Sequence, residues 1–588
     1  MIPTPVTRIP NRGAPRRAPH RRRGARRLAW LAALAALSPF IAQPRAQAQI
    51  LGPRITDGER SDIRAPLAPP PAPAPDIATP PRVDAAAAPE TRIADVAVLG
   101  AVGLGPAALR PVLQPFVGRR VRQDTLTALS TAVSDAYRRA GYALYGVVVP
   151  QQDFARGLVV LRAVEGQVEE VAFEGDTEGA DFSLLHAYAD RIIAERPLRQ
   201  DTLDRYILLM QDVAGRKLQT RLELLPRPGA VKLVVTVQRT SVRIGLGLDN
   251  LGAGILGHVQ GAVSATVNSM LREGDSTRIA YGAPSDLHRF TFLSARHQQP
   301  IGSDGFTLAA SFGYLRTRPA NDSTLDGTAT TFGLQAVYPL IRRPRETAQV
   351  FAAFDVLDSH SLAFGQLVSN EATRVVRLGG AYARANEADT RVGTITGILN
   401  QGIDGFGARQ RLGFYYGQPE FTKLTLQASL QQDLWPRRLI LRLRASAQYA
   451  GDRLPASELF TYGGVTLGRG FDAATLFGDR AVGGSAVLAV PLKPMLTEAA
   501  VTRSLGNTVG AMLLGTEFYG FVDGARVANL SPVPTPRGNR ASSAGFGVRV
   551  PVMEETKLDI ELAKPIVTPL YTRVSDDWRF VFVVRRDF

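Results

Sequence analysis

The sequence predicts a chain in two parts: two small α/β modules, then an all-β domain that closes as a transmembrane barrel of about sixteen strands. Three observations carry this prediction. From Ser241 to the end, apolar and polar residues alternate with a period of two. No window after residue 50 holds the roughly 18 to 20 consecutive apolar residues of a spanning helix, so any membrane passage falls to strands. Residues 92–239 run through one order of elements twice.

The composition narrows the function. A 45% hydrophobic fraction is ordinary for a folded protein, and a mean hydropathy near zero excludes a helical membrane bundle. The formal charge of +16 resembles a nucleic-acid signal until it is located. Residues 1–48 hold ten arginines and no acid, and subtracting those ten from +16 leaves +6 for the rest. That segment reads as a signal peptide. A basic stretch ends at Arg26-Arg27, an apolar run covers 28–42, and Ala46-Gln47-Ala48 supplies small residues for cleavage before Gln49. Residues 49–91 are rich in proline and alanine and read as an extended linker. With no cysteine in the chain, disulfides, thiolate catalysis and cysteine-held metals are excluded together.

In the first module, 92–166, Ile93, Val96 and Val98 suggest a strand. Residues 123–139 have helical spacing, with Leu126, Leu129, Val133 and Tyr137 on one face, and Gly141 stops that helix. Strands follow at 147–149 and 158–164. The second module, 167–239, opens with a strand from Val168, has helices near 182–193 and 200–213, and ends in strands at 220–225 and 232–237.

Within residues 240–588, Val242, Ile244, Leu246 and Leu248 share one face, with glycine or charge between them. Leu439, Leu441 and Leu443 alternate with Ile440, Arg442 and Arg444, so one side suits lipid and the other a wet lumen lined by Arg442 and Arg444. The preceding strand, 424–431, alternates likewise, and a short turn at Trp435-Pro436 joins the two. Trp578, Phe580, Phe582, Val584 and the terminal Phe588 lie on one face, an outer-membrane barrel signal. A soluble sandwich would also alternate, but paired arginines on the polar face of a long strand argue against it.

These residues resemble a known family. Tyr137, Gly141-Tyr142, Pro150, Gln152, Gly157 and Glu165-Gly166 are similar to a first polypeptide-transport-associated (POTRA) domain. The stretch 203–212, with Leu208, Leu209 and Asp212, leading to Gly215, resembles a second. Gly274-Asp275, Tyr281-Gly282 and Pro300-Ile301-Gly302 are looser barrel matches, and the block from Leu454 through Gly463-Gly464 to Asp479 is a close one. Taken in order, they resemble two-partner secretion outer-membrane transporters of the TpsB type, in the superfamily of the barrel-assembly insertases.

The resemblance implies a loop near 454–484 folded into the barrel, with Arg469-Gly470-Phe471 at its tip and Asp523 as the partner on the wall. The family's tip carries a β-branched residue where this chain has Gly468, which implies a more mobile tip. The family's glycine two residues after the aspartate is Ala525 here. A plug segment, if present, falls within 49–64, which Gly52-Pro53 and Gly58 interrupt. The implied partners are a secreted cognate exoprotein, outer-membrane lipid, and the barrel-assembly machinery during biogenesis, with no nucleic acid, cofactor or metal. The implied location is the bacterial outer membrane, with the POTRA domains in the periplasm. Two alternatives stay open: an insertase, which has more POTRA modules, and a small-solute porin, which needs none. No Gly-x-Ser-x-Gly elbow, phosphate-cradling loop or metal-spaced histidine pair is present. His288 and His297 bracket one strand and read as lumen or interface residues.

Overall fold

The computed structural model describes residues 6–7 and 82–588, apart from 180, 253–256, 319–324, 364–365, 413–416, 436, 465–466, 497, 531–538, 554 and 570–575. The signal peptide, the plug segment and most of the linker lie outside the described residues. Two compact units result: of the residues from 82 on, the first takes those to Arg239 together with Arg342–Pro344, and the second takes Thr240–Ile341 and Arg345–Phe588.

The first unit holds both α/β modules. In the first, helices Pro106–Leu113 and Gln123–Arg139 cover a sheet. In that sheet Asp95–Leu99 runs parallel to Leu158–Glu165, which pairs antiparallel with Tyr145–Val149. Leu126, Leu129, Val133 and Tyr137 are fully buried, as their spacing requires. Residues 82–91, counted with the linker in the sequence, contribute short strands instead. Arg82–Val83 adds to Tyr145–Val149, Ala88–Arg92 pairs with Arg120–Val121, and Ala85 is buried in the module's core. The second module repeats the plan. Helices Ser183–Ala194 and Gln200–Gln211 pack on a sheet in which Ala230–Arg239 lies between Gln167–Gly175, parallel, and Arg216–Leu224, antiparallel.

The second unit is a closed antiparallel barrel of sixteen strands among the described residues. They are β1 (Val242–Asp249), β2 (Gln260–Asn268), β3 (Ser276–Pro284), β4 (Phe290–Ile301), β5 (Phe306–Thr317), β6 (Leu325–Arg343), β7 (Glu346–Ala363) and β8 (Gln366–Ala385). The series continues with β9 (Arg391–Gly402), β10 (Thr422–Trp435), β11 (Leu439–Ala450), β12 (Arg480–Pro491), β13 (Glu517–Ala528), β14 (Asn539–Met553), β15 (Thr556–Val567) and β16 (Arg579–Asp587). A short extra strand, Arg409–Leu412, pairs with the far end of β8. Pairing of β1 with β16, from Gly245 with Asp587 to Asp249 with Val583, closes the cylinder. Closure leaves no strand edge in lipid, the condition for sheet to cross a bilayer.

Period-two alternation becomes an outside and an inside. Val242, Ile244, Leu246 and Leu248 are each about half exposed on the outer face of β1, and Leu424, Leu426 and Tyr449 stand outward on β10 and β11. Strands β6, β7 and β8, of 19, 18 and 20 residues, are longer than the roughly 9–11 residues that cross a bilayer. Turns are short at the end where β1 begins, with one exception. Between β12 and β13 lies a helix, Glu498–Gly515, kinked at Gly506, whose φ of 75° is outside the helical range.

Tyr137 ties the first module together. Its hydroxyl donates to Glu165 Oε1 at 2.8 Å, and the same carboxylate accepts the Gly103 N–H. Burial pushes the phenol well above its usual range, and the Glu165 acceptor adds to the effect, so the donor proton stays in place at any physiological pH. Replacing it, Tyr137→Phe, is expected to cost about 1 kcal/mol, read as a lower urea midpoint for a soluble fragment spanning residues 82–239.

Candidate functional site: the loop inside the barrel

The segment joining β11 to β12 turns into the lumen. After a single helical turn, Ala456–Glu458, it forms a hairpin of Phe460–Tyr462 with Leu476–Gly478. The hairpin buries Tyr462, Phe471 and Leu476 against Ala525, Val527 and Ala541 of the wall. The tight bend beyond it depends on glycine. At Gly463, φ is 117° and an added Cβ would lie 2.0 Å from the Asp472 carbonyl oxygen. At Gly468, φ is 88° and a Cβ would meet the Tyr462 ring at 2.7 Å. Here the glycine that the sequence comparison read as a source of mobility is demanded by close packing.

At the tip, Arg469 is 5% exposed and its guanidinium is fully engaged. Nε donates to Asp523 Oδ2 and Nη2 to Asp523 Oδ1, both at 2.9 Å, a bidentate fork. Nη2 also donates to Ser485 Oγ at 3.0 Å, and Nη1 lies 3.4 Å from Glu561 Oε2. The backbone N–H of Arg469 donates to the same Asp523 carboxylate at 3.2 Å. One face of the guanidinium lies 3.4 Å from the centre of the Phe521 ring. The next residue, Gly470, has no room for a side chain, since a Cβ would come 2.8 Å from Ser543 Cβ. Phe471 is buried, and its carbonyl accepts from Arg579 of β16.

A second anchor lies nearer the root, and it has the opposite sign. Glu458, 2% exposed, receives Arg377 of β8 on both carboxylate oxygens, at 2.7 and 3.2 Å. Lys423 Nζ of β10 lies 2.5 Å from Glu458 Oε2 and donates to its carbonyl at 2.8 Å. Asp355 of β7 completes the group, 2.6 Å from Arg377 Nε. At the root itself, Asp479 accepts the N–H groups of Leu454 and Leu530, and Glu371 accepts those of Ala456 and Ser457.

The remaining residues singled out in the sequence fall in several places. Arg442 and Arg444 both face inward on β11. Arg442 forms a fork with Glu517 at 2.7 and 2.6 Å, and Arg444 stands opposite Ser429 and Ser485. Glu517 also binds Arg549, which reaches Asp559, so this stretch of wall is charge-balanced. Tyr142 donates to the Gly103 carbonyl, and Gln152 pairs its amide with both backbone groups of Val160 while also bonding the Pro150 carbonyl. Gly141 and Gly215 adopt φ of 81° and 71° after their helices. Leu208 and Leu209 are buried, and Asp212 caps its helix through its backbone N–H. These POTRA residues build the modules rather than line a groove. The terminal Phe588 lies outward under Arg586 and bonds through its backbone to Ile244. His297 shares a hydrogen bond with Thr277 at 2.8 Å.

Sequence reasoning missed Glu458, Lys423, Arg377 and Glu561. A signal existed for two of them: Glu561 sits between Ile560 and Leu562, and Arg377 between Val376 and Leu378, each a charge at an inward position of a lipid-crossing strand.

A sixteen-stranded closed barrel carrying an arginine-tipped loop in its lumen, preceded in the chain by two strand-helix-helix-strand-strand modules, defines an outer-membrane transport protein with periplasmic POTRA domains. Comparison with known proteins supplies the family. Residues 229–518 match the haemolysin secretion/activation protein ShlB/FhaC/HecB, and residues 91–166 match the ShlB-type POTRA domain. The outer membrane transporter CdiB of Escherichia coli is 23% identical over 406 residues, which are 66% of this chain and 67% of that protein. The hemolysin transporter protein HpmB of Proteus mirabilis is 22% identical over 77% of this chain and 78% of its own length. The heme/hemopexin transporter protein HuxB of Haemophilus influenzae is 21% identical over 62% and 66%. In fold, CdiB from Escherichia coli superposes with a TM-score of 0.68 at 18% identity, over 90% of this chain and 96% of that one. CdiB from Acinetobacter baumannii gives 0.62 at 15%, over 96% and 100%. The chain belongs to the ShlB/FhaC/HecB family, the two-partner secretion transporters of the outer membrane.

The anchors make opposite demands on a substitution. Arg469→Ala leaves Asp523 and Glu561 without their shared cation, a loss of about 3–5 kcal/mol for a buried pair. Arg469→Lys restores charge but not the fork. Both variants are expected to raise ion conductance in planar bilayers and protease cleavage within 459–475, alanine more than lysine. Glu458→Gln, which removes the carboxylate that Lys423 and Arg377 share, is expected to do the same.

Proposed function

We infer that this protein conducts an unfolded, secreted partner protein of the adhesin or haemolysin class across the outer membrane, with its POTRA domains receiving the chain and its barrel providing the route. The observation that carries this reading is the pairing of two POTRA modules with a barrel whose lumen is occupied by a hydrogen-bonded loop. A small-solute porin has no use for the modules, and the two-partner secretion family accounts for both features.

Reception of the partner falls to exposed sheet edges. An extended chain adds to such an edge through main-chain hydrogen bonds, which are indifferent to side-chain sequence. In the second module, strand Arg216–Leu224 is the outer strand of its sheet, alternating buried and exposed side chains at its start and exposing Leu224 at its end. The lumen wall then offers charge-balanced polar groups such as Arg442 with Glu517, which wet a passing chain without gripping it. Arg469 and Glu458 hold the loop in place until transport displaces it. No nucleotide is present outside the inner membrane, so folding of the partner at the cell surface supplies the driving force. The protein performs no covalent chemistry in this scheme.

The decisive measurement is export of a co-expressed cognate partner. Deleting residues 92–239 is expected to abolish export, and Arg469→Ala to reduce it several-fold while the barrel still assembles, as judged by heat-modifiable migration in gels. Undiminished export in both would overturn the reading.

A further inference from the structure

The outer face of β12–β15 carries a group of cations at the loop end of the barrel that the lumen network does not use. On these four strands the even-numbered residues point outward, as the exposure of Val482, Val522, Phe546 and Ile566 at 59%, 51%, 54% and 60% shows. Arg480, Arg526, Arg540 and Lys564 occupy the same outward set, one on each strand. Strand register puts Val482 beside Arg526, and Arg526 directly opposite Arg540. Two guanidinium groups facing each other across a strand pair repel. Arg480 stands two residues nearer the loops, 4.5 Å from the centre of the Tyr449 ring, and donates to the Ala450 carbonyl. Lys564 lies beside Ala544, four residues below Arg540 on the neighbouring strand and so about 13 Å deeper, a separation that its long methylene stem narrows by snorkelling toward the loop end.

Acids are missing from this face. The other outward residues of the four strands in this half are Val482, Gly484, Val522, Gly524, Ala528, Ser542, Ala544, Leu562 and Ile566. Arg526, Arg540 and Lys564 are exposed and form no ion pair or side-chain hydrogen bond among the described residues. Elsewhere at the loop end, Arg316 and Arg318 are neutralised by Asp326. Below the cluster the face becomes wholly apolar, with Leu488, Phe518, Phe546 and Leu558. Cations tolerated at this height on a lipid-facing surface mark the headgroup level.

We propose that this face is a binding site for the phosphorylated headgroup of the outer-leaflet glycolipid, lipopolysaccharide, with Arg526 and Arg540 forking its phosphates, Lys564 meeting the headgroup from below, and the acyl chains lying on the apolar band beneath. Guanidinium groups match phosphate oxygens two at a time, and an anion between Arg526 and Arg540 turns their repulsion into attraction. Continuity with the apolar band favours a lipid over free phosphate. The proposal rests on the outer-membrane location and is independent of how a partner passes through the lumen.

The test uses the full-length protein purified in mild detergent. Native mass spectrometry reads the lipopolysaccharide retained, and thermal unfolding is followed with purified lipid A, dephosphorylated lipid A or inorganic phosphate added. Wild type is expected to retain the glycolipid and to unfold at higher temperature with lipid A alone. The triple variant R526Q/R540Q/K564Q is expected to lose retention by at least about tenfold, the loss of one charge-assisted hydrogen bond at minimum. R526K/R540K is expected to keep part of it. Equal retention by wild type and triple variant, or an equal shift with dephosphorylated lipid A or inorganic phosphate, would overturn the proposal. The dephosphorylated arm decides even if the triple variant fails to fold, and no partner protein enters the assay, so its failure is distinct from failure of the export reading.

Discussion

The structure depends on one requirement: in hydrocarbon every backbone N–H and C=O has to be bonded within the protein. Sixteen strands meet it only because β1 and β16 pair along five residues and remove the last two edges. Once the cylinder is closed, every strand has a lipid side and an enclosed side, and composition follows from that division. Leucine, valine and phenylalanine cover the membrane band outside, while the acids and the cations that pair with them collect inside, where each needs a partner.

The enclosed charges come in nearly neutral groups, and the loop contributes a member of opposite sign to each of two. At the tip the wall supplies two acids, Asp523 and Glu561, and the loop supplies Arg469. Near the root the wall supplies Arg377, Lys423 and Asp355, and the loop supplies Glu458. A loop shifted by one position would bring Gly468 or Gly470 to the acids and Ser457 or Leu459 to the cations, leaving both groups of wall charges uncompensated. Buried ion pairs add little net stability over apolar packing, but they penalise wrong arrangements heavily. Two anchors of opposite sign therefore fix how the loop is seated more than how tightly. The hairpin's apolar cluster of Tyr462, Phe471 and Leu476 supplies the nonspecific part.

Much of this architecture was legible in the chain. Helix Gln123–Arg139 falls on the residues its periodicity marks, because four apolar residues on one face leave no other way to bury them. Barrel strands were legible for the same reason at a period of two. Helix Pro106–Leu113 was not, since Pro111 removes one of its own hydrogen bonds and only Leu109 and Leu113 are buried. Nor was Glu498–Gly515, an interruption where a short turn fits the pattern. Arg469 stood out because an arginine among glycines is conspicuous. Its partners were harder: Glu458 meets residues 81 and 35 positions away, and contacts at such separations leave no local trace. Resemblance to a family pointed to Asp523, but nothing in one sequence pairs Glu561 with the same guanidinium.

Opposite signs at the two anchors also bear on how the loop could leave. Withdrawing Arg469 exposes two neighbouring carboxylates, and withdrawing Glu458 exposes two cations, so each vacated site needs water or the charges of another chain. A dry lumen would make that step prohibitive, since an uncompensated buried charge costs several kcal/mol. Arg579, held between the Phe471 carbonyl and Asp472, lies at the tip and can follow the vacated acids of β13 and β15. Near the root, Asp355 still faces Arg377 when Glu458 leaves, and it neutralises part of the charge uncovered there. Unseating the loop at either anchor therefore uncovers wall charge of one sign, acidic at the tip and basic near the root.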